Sequence, residues 1–75
     1  MTIEELYGIL EKVTGNPQVR NNIDLIEHNI LDSLAFIELL NELEDRGIVI
    51  HPTQVDIKNF STAEQILNMI SKSGQ

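Results

Sequence analysis

The sequence predicts an all-α fold: a small bundle of three main helices, with a long first loop and a short fourth helical turn. Three observations carry that expectation. Apolar residues recur at helical spacing in three separate stretches. Two of those stretches open on a hydroxyl residue followed three positions later by Glu, a pairing that satisfies backbone donors at a helix start. The one β-branched run, Ile48-Val49-Ile50, has no second strand to pair with, so it reads as an extended loop lying on the core. At 75 residues the whole chain, 1–75, is expected to form one domain near the lower size limit for folding without staples.

The first helix is expected from Thr2 to about Thr14, with Thr2 and Glu5 as capping box and Ile3, Leu6, Leu10 and Val13 on one face. Gly15-Asn16-Pro17 breaks the pattern. Residues 15–31 then make a long connection with room for a short helical turn, in which Ile23, Leu25, Ile26 and Ile30 are available to pin the loop to a core. A loop of that length in so small a chain tends to be functional. The second helix runs from Leu34 to Asp45, opened by Asp32-Ser33 and stopped by Gly47. Val55 to Lys58 is the short fourth turn. Ser61 with Glu64 makes a second capping box, opening a last helix to about Ser71 whose apolar side is Ala63, Ile66, Leu67 and Ile70. Ser73-Gly74-Gln75 is expected to fray.

Composition narrows the function. Twelve acids against five bases give a net charge of −7, which opposes binding to nucleic acid phosphate and favours partners with basic patches. With no cysteine there is no disulfide, thiol nucleophile or Cys-based metal site. No apolar run approaches the ~18 residues of a membrane span. The N-terminus lacks the basic-then-apolar layout of a secretory signal, so a cytoplasmic protein is expected.

The second helix reads differently on its two sides. At about 100° per residue, Phe36, Leu39, Leu40 and Leu43 share one face, and that is the core stripe. Leu34, Ile37, Glu38, Asn41, Glu42 and Asp45 project from the other side. There, two aliphatic side chains sit among acids, a surface suited to a basic partner with an apolar dimple. Charge would speed and orient the encounter, while Leu34 and Ile37 would slow dissociation. Ser33 stands at the N-terminal end of this helix, where outward-pointing N–H groups and the helix dipole favour a phosphodiester on its oxygen. Asp32 beside it is either the helix cap or a holder for a metal ion while the serine is being modified; an isolated Asp-Ser pair is most often just a cap.

The residues Asn29-Ile30-Leu31-Asp32-Ser33-Leu34, followed by Ile37-Glu38-Leu39-Leu40, resemble the Asp-Ser-Leu attachment motif and helix of the acyl carrier protein family. The likeness extends upstream to Asp24, Leu25 and Glu27. Downstream it takes in Gly47-Ile48-Val49-Ile50-His51-Pro52 and Phe60-Ser61-Thr62-Ala63-Glu64-Gln65-Ile66, so it covers nearly the whole chain. The resemblance implies a 4′-phosphopantetheine arm attached to Ser33 by a phosphopantetheinyl transferase, and recognition along the second helix. Fatty-acid carriers usually have an acid after Asp-Ser-Leu and a glycine shortly before it; this chain has Ala35 and Asn29-Ile30-Leu31. Those departures, together with Ile50-His51-Pro52-Thr53-Gln54-Val55, are similar to D-alanyl carrier proteins, which serve D-alanylation of teichoic acids in Gram-positive bacteria. That likeness implies a ligase that activates D-alanine, an arm thiol that captures it as a thioester, and a membrane acyltransferase that receives it. A monomer is expected. Carriers of fatty-acid, polyketide-type or other specialised pathways share some of these features.

Two other classes compete with a carrier. An independent enzyme would have to use His28 or His51, the only imidazoles, and so short a chain lacks the bulk to enclose a catalytic pocket. The acids also lack the spacing of a calcium loop. A helical interaction module without the arm would use the same Leu34, Ile37, Glu38 and Glu42 face.

Overall fold

The first helix, α1, spans Ile3–Thr14 and shows how closely local chemistry sets its ends. The Thr2 hydroxyl accepts from the Glu5 N–H at 3.2 Å, and the Glu5 carboxylate accepts from the Thr2 N–H at 3.1 Å, so the capping box is complete. These bonds to Thr2 hold the Glu5 carboxyl below the usual glutamate range. At the other end Gly15 takes the left-handed conformation (φ 69°) that lets its N–H reach back to the Glu11 carbonyl at 2.7 Å. The computed structural model describes residues 1–21, 23–51 and 56–73.

After α1 come a 3₁₀ turn over Pro17–Asn21, helix α2 over Ser33–Asp45, a second 3₁₀ turn over Ile57–Phe60, and helix α3 over Ala63–Ser73. No strand occurs among the described residues. Ile48-Val49-Ile50 is extended loop, as expected, with Ile50 buried and Val49 turned outward. The three helices pack around one core in which Leu6, Leu10, Leu25, Leu39, Leu43, Phe60 and Ile66 are fully buried. All four residues of the predicted α2 core stripe, Phe36, Leu39, Leu40 and Leu43, lie in it. The rings of Phe36 and Phe60 meet edge to face at 4.9 Å between centroids. Among the described residues every buried side-chain polar atom has a partner.

Several sequence expectations shift. The helix α2 begins at Ser33, one residue earlier than predicted, because Asp32 alone supplies the cap. The α3 cap is Thr62 with Gln65, and not Ser61 with Glu64: the Thr62 hydroxyl accepts from the Gln65 N–H, and the Thr62 carbonyl from the Ile66 N–H. Ser61 is occupied elsewhere, since its carbonyl accepts from the Leu25 N–H at 2.6 Å and its hydroxyl donates to the Gln65 side chain. That single backbone bond ties the first loop to the start of α3. The helix α3 continues through Ser73, and the short fourth turn lies at Ile57–Phe60. Val55, which was expected to open that turn, lies outside the described residues, as do Pro52, Thr53, Gln54, Gly74 and Gln75. The long first loop has a turn of its own that buries Val19, and Arg20 from that turn bonds Glu11 and Glu4 of α1 while lying 5.5 Å from the Tyr7 ring centre.

Candidate functional site

Ser33 is placed by what happens in the nine residues before it. Asp24 starts a single helical turn: its Oδ1 accepts from the N–H groups of Ile26 (3.0 Å) and Glu27 (2.8 Å). The turn closes at Asn29, the only non-glycine residue with positive φ (57°) among the described residues. There the Asn29 N–H bonds the Ile26 carbonyl at 3.0 Å and the Ile30 N–H bonds the Leu25 carbonyl at 2.8 Å, the paired closure of a Schellman motif. The Leu31 N–H also reaches the Leu25 carbonyl, at 3.0 Å. Buried Leu25 and Leu31 anchor both sides of the turn. Asp32 follows as cap of α2, accepting from the Ala35 N–H at 2.8 Å, and Ser33 is the first residue of the helix.

The Ser33 side chain is exposed, and its hydroxyl bonds no other described residue. With the Ala35 N–H taken by Asp32 and the Phe36 N–H by the Asp32 carbonyl, the N–H groups of Ser33 and Leu34 face outward from the helix start. No acid occupies the first turn of α2. A phosphodiester on Ser33 therefore meets free donors and the positive end of a 13-residue helix, and nothing encloses the oxygen. These residues fit a phosphopantetheine group. Asp32 fills the cap role. Among the described residues no cluster of three or more metal-ligating side chains occurs.

The expected docking residues are mostly brought together on the outer side of α2. Leu34 (69% exposed) and Ile37 (45% exposed) stand out with Glu38, Asn41 and Asp45 around them. Glu42 is different. Its side chain is only 20% exposed and turned toward α1, with Lys12 Nζ 2.9 Å from one carboxylate oxygen and Arg46 3.1 Å from the other. Nine residues beyond Ser33, it lies about 180° around the helix from it. It links two helices and offers no free oxygen to a partner above Ser33. Glu44, absent from the predicted docking face, is exposed and within about 20° of Ser33's own bearing on the helix. Its eleven-residue spacing from Ser33 was the available signal.

Hydrogen bonds from Lys12 and then Arg46 hold the Glu42 carboxyl below the usual glutamate range. A lowered folded-state value means the pair stabilises the fold above the ordinary glutamate pKa, and that this contribution is lost as pH falls through the folded value. Denaturation midpoints measured from neutral pH to well below about pH 4.3, the ordinary glutamate value, should therefore fall more steeply for the wild type than for Glu42→Gln. Parallel curves would show that the two cations do not hold Glu42 in solution.

The Nδ1 of His28 lies 3.0 Å from the Asp24 carbonyl at the edge of the first-loop turn, and His51 is exposed. No helix among the described residues is long and apolar enough to cross a membrane.

A surface serine on an open helix start, reached through a tightly bonded loop, leaves its oxygen accessible from outside. The family model for the phosphopantetheine attachment site matches residues 4–70, and the chain belongs to that family of carriers, whose covalent group is phosphopantetheine and which work with partner enzymes. Proteins similar to it include D-alanyl carriers from three genera. It is 39% identical over 74 residues to the D-alanyl carrier protein of Enterococcus faecalis, covering 93% of this chain and 95% of that one. Against the D-alanyl carrier protein of Lactococcus lactis subsp. lactis it is 36% identical over 66 residues, 84% of each chain. Against that of Listeria monocytogenes it is 33% identical over 70 residues, 89% of this chain and 90% of the other.

Proposed function

We propose that Ser33 bears the 4′-phosphopantetheine arm and that the chain is a D-alanyl carrier, receiving D-alanine from an activating ligase and presenting it for D-alanylation of teichoic acids. The observation that carries this reading is the exposed, unbonded Ser33 hydroxyl at the free N-terminus of α2, inside a chain similar end to end to D-alanyl carriers. When bound, the group supplies a terminal thiol that holds the cargo as a thioester. The chain itself contributes position and recognition, and no catalytic step. Free N–H groups at Ser33 and Leu34 receive the phosphate charge. Leu34, Ile37, Glu38, Asn41 and Asp45, joined by Glu44, form the face on which a phosphopantetheinyl transferase, a D-alanine ligase and a membrane acyltransferase dock in turn; Glu42 braces that face from the α1 side. The carrier works in the cytoplasm as a monomer.

Incubation with coenzyme A and a phosphopantetheinyl transferase should raise the mass by one arm. The product, given ATP, D-alanine and a D-alanine ligase, should then gain one alanyl group that neutral hydroxylamine removes. Loading by fatty-acid enzymes alone, with none by the D-alanine ligase, would reassign the cargo. An absent arm would leave an unmodified interaction module.

A further inference from the structure

Three regions outside the attachment point itself invite attention: the groove of about 300 Å³ between α1 and α2 beside Lys12 and Glu38, the amide-lined groove of about 290 Å³ along α3, and the bonded turn that leads into α2. Both grooves are open, and nothing in the structure selects an occupant for either. The turn is another matter, because its geometry bears directly on Ser33.

Its closing residue is held in a conformation that costs most side chains dearly. Asn29 sits at φ 57°, where asparagine is tolerated, glycine is at ease, and a β-branched residue is a severe outlier. Its side chain is exposed and bonds no other described residue. The residue is therefore there for its backbone. If φ at position 29 returned to the ordinary negative range, the chain direction between Leu25 and Leu31 would change. The N–H groups of Ile30 and Leu31 would lose the Leu25 carbonyl that they share. Only Ile30, Leu31 and Asp32 separate this turn from Ser33, and Leu31 is fixed in the core, so the reorientation falls on Asp32 and the first turn of α2. The tether from the Leu25 N–H to the Ser61 carbonyl sets the same turn against α3.

We propose that Asn29 is a positioning residue for modification at Ser33: through the left-handed turn it closes under the Asp24 cap, it sets the angle at which the Ser33 hydroxyl is offered to the transferase. This rests on reading Ser33 as the attachment point. Transfer onto a surface hydroxyl depends on alignment of the attacking oxygen, and small misplacements are costly in rate. A purely structural role would lower thermal stability and leave the rate of the folded protein alone.

The test is steady-state transfer of phosphopantetheine from coenzyme A, followed by mass spectrometry on the full chain. Circular dichroism first establishes a temperature at which every variant is folded. Asn29→Gly should stay within about twofold of wild type and Asn29→Val should lose about tenfold in kcat/KM. Amide NMR should show shifts confined to the first-loop turn and the start of α2, with α1 and α3 unchanged. If Asn29→Val does not fold, Asp24→Ala, which removes the cap of the same turn, stands in for it with Asp24→Asn as the conservative rescue. An unchanged rate in the folded Val or Ala variant, with modification still dependent on Ser33, overturns the positioning role alone. Modification that survives Ser33→Ala overturns the attachment reading and this role with it.

Discussion

Ser33→Ala should abolish the one-arm mass gain completely while leaving the protein as stable as before. The expectation has two halves, and each has its own reason. The chemical half is simple, because alanine has no oxygen to form the phosphodiester. The stability half follows from the site. The Ser33 side chain is exposed and bonds no other described residue, and the α2 cap is supplied by Asp32 through the Ala35 N–H at 2.8 Å. Alanine is also the better helix former. The change in unfolding free energy should stay within about 0.5 kcal/mol, as for other surface substitutions. Urea denaturation and mass spectrometry on the same sample check both halves. A persisting mass gain would show that another hydroxyl carries the arm. A loss of several kcal/mol would show that Ser33 has a structural role that its exposed, unbonded side chain does not account for.

Asp32→Ala inverts this pattern. It leaves the Ser33 oxygen in place and removes the cap, which costs about 1 kcal/mol. Neighbouring residues of one motif thus separate into a chemical and a structural contributor.

Much of this was legible in the sequence, and what was not has physical causes. The α1 boundaries followed from Thr2, Glu5 and Gly15 because both ends are closed by bonds within a few residues. The core stripe of α2 followed from spacing alone. The α3 cap did not, because Ser61-x-x-Glu64 and Thr62-x-x-Gln65 are equally good capping boxes in adjacent registers. The choice between them rests on the long-range bond from Leu25 to the Ser61 carbonyl, which no local pattern contains. The same holds at the site. Ser33 and Asp32 were readable because a cap and a helix start are local. That Glu42 is drawn to Lys12 depends on how α1 crosses α2, and a helical wheel of one helix is blind to it. The left-handed Asn29 was hidden for the opposite reason: asparagine is common in many conformations, and only the pair of bonds to Leu25 and Ile26 shows which one it takes.

Phe60→Ala should be the most damaging single truncation of the core. Phe60 is the largest fully buried side chain, and its ring stands edge-on to Phe36, the chain's only other phenylalanine. Truncating a buried Phe to Ala costs about 3–5 kcal/mol, combining lost burial with the cavity left behind. Against it stands a total stability of roughly 4–11 kcal/mol for a chain of this size, at about 0.05–0.15 kcal/mol per residue. A large part of the folded population would go. The position also matters: Phe60 ends the second 3₁₀ turn, next to Ser61, whose carbonyl holds the first loop. The loss should therefore spread from the contact between α2 and the second 3₁₀ turn into the turn that presents Ser33. Val49→Ala, at a site 55% exposed, is the contrast and should stay within about 0.5 kcal/mol. Urea midpoints measure both, and a Phe60→Ala loss below about 1 kcal/mol would mean that the aromatic contact is not part of the solution core. In a modification assay Phe60→Ala should fail near its melting temperature and recover on cooling, since its hydroxyl at Ser33 is intact. Ser33→Ala should fail at every temperature, and that difference separates loss of the scaffold from loss of the site.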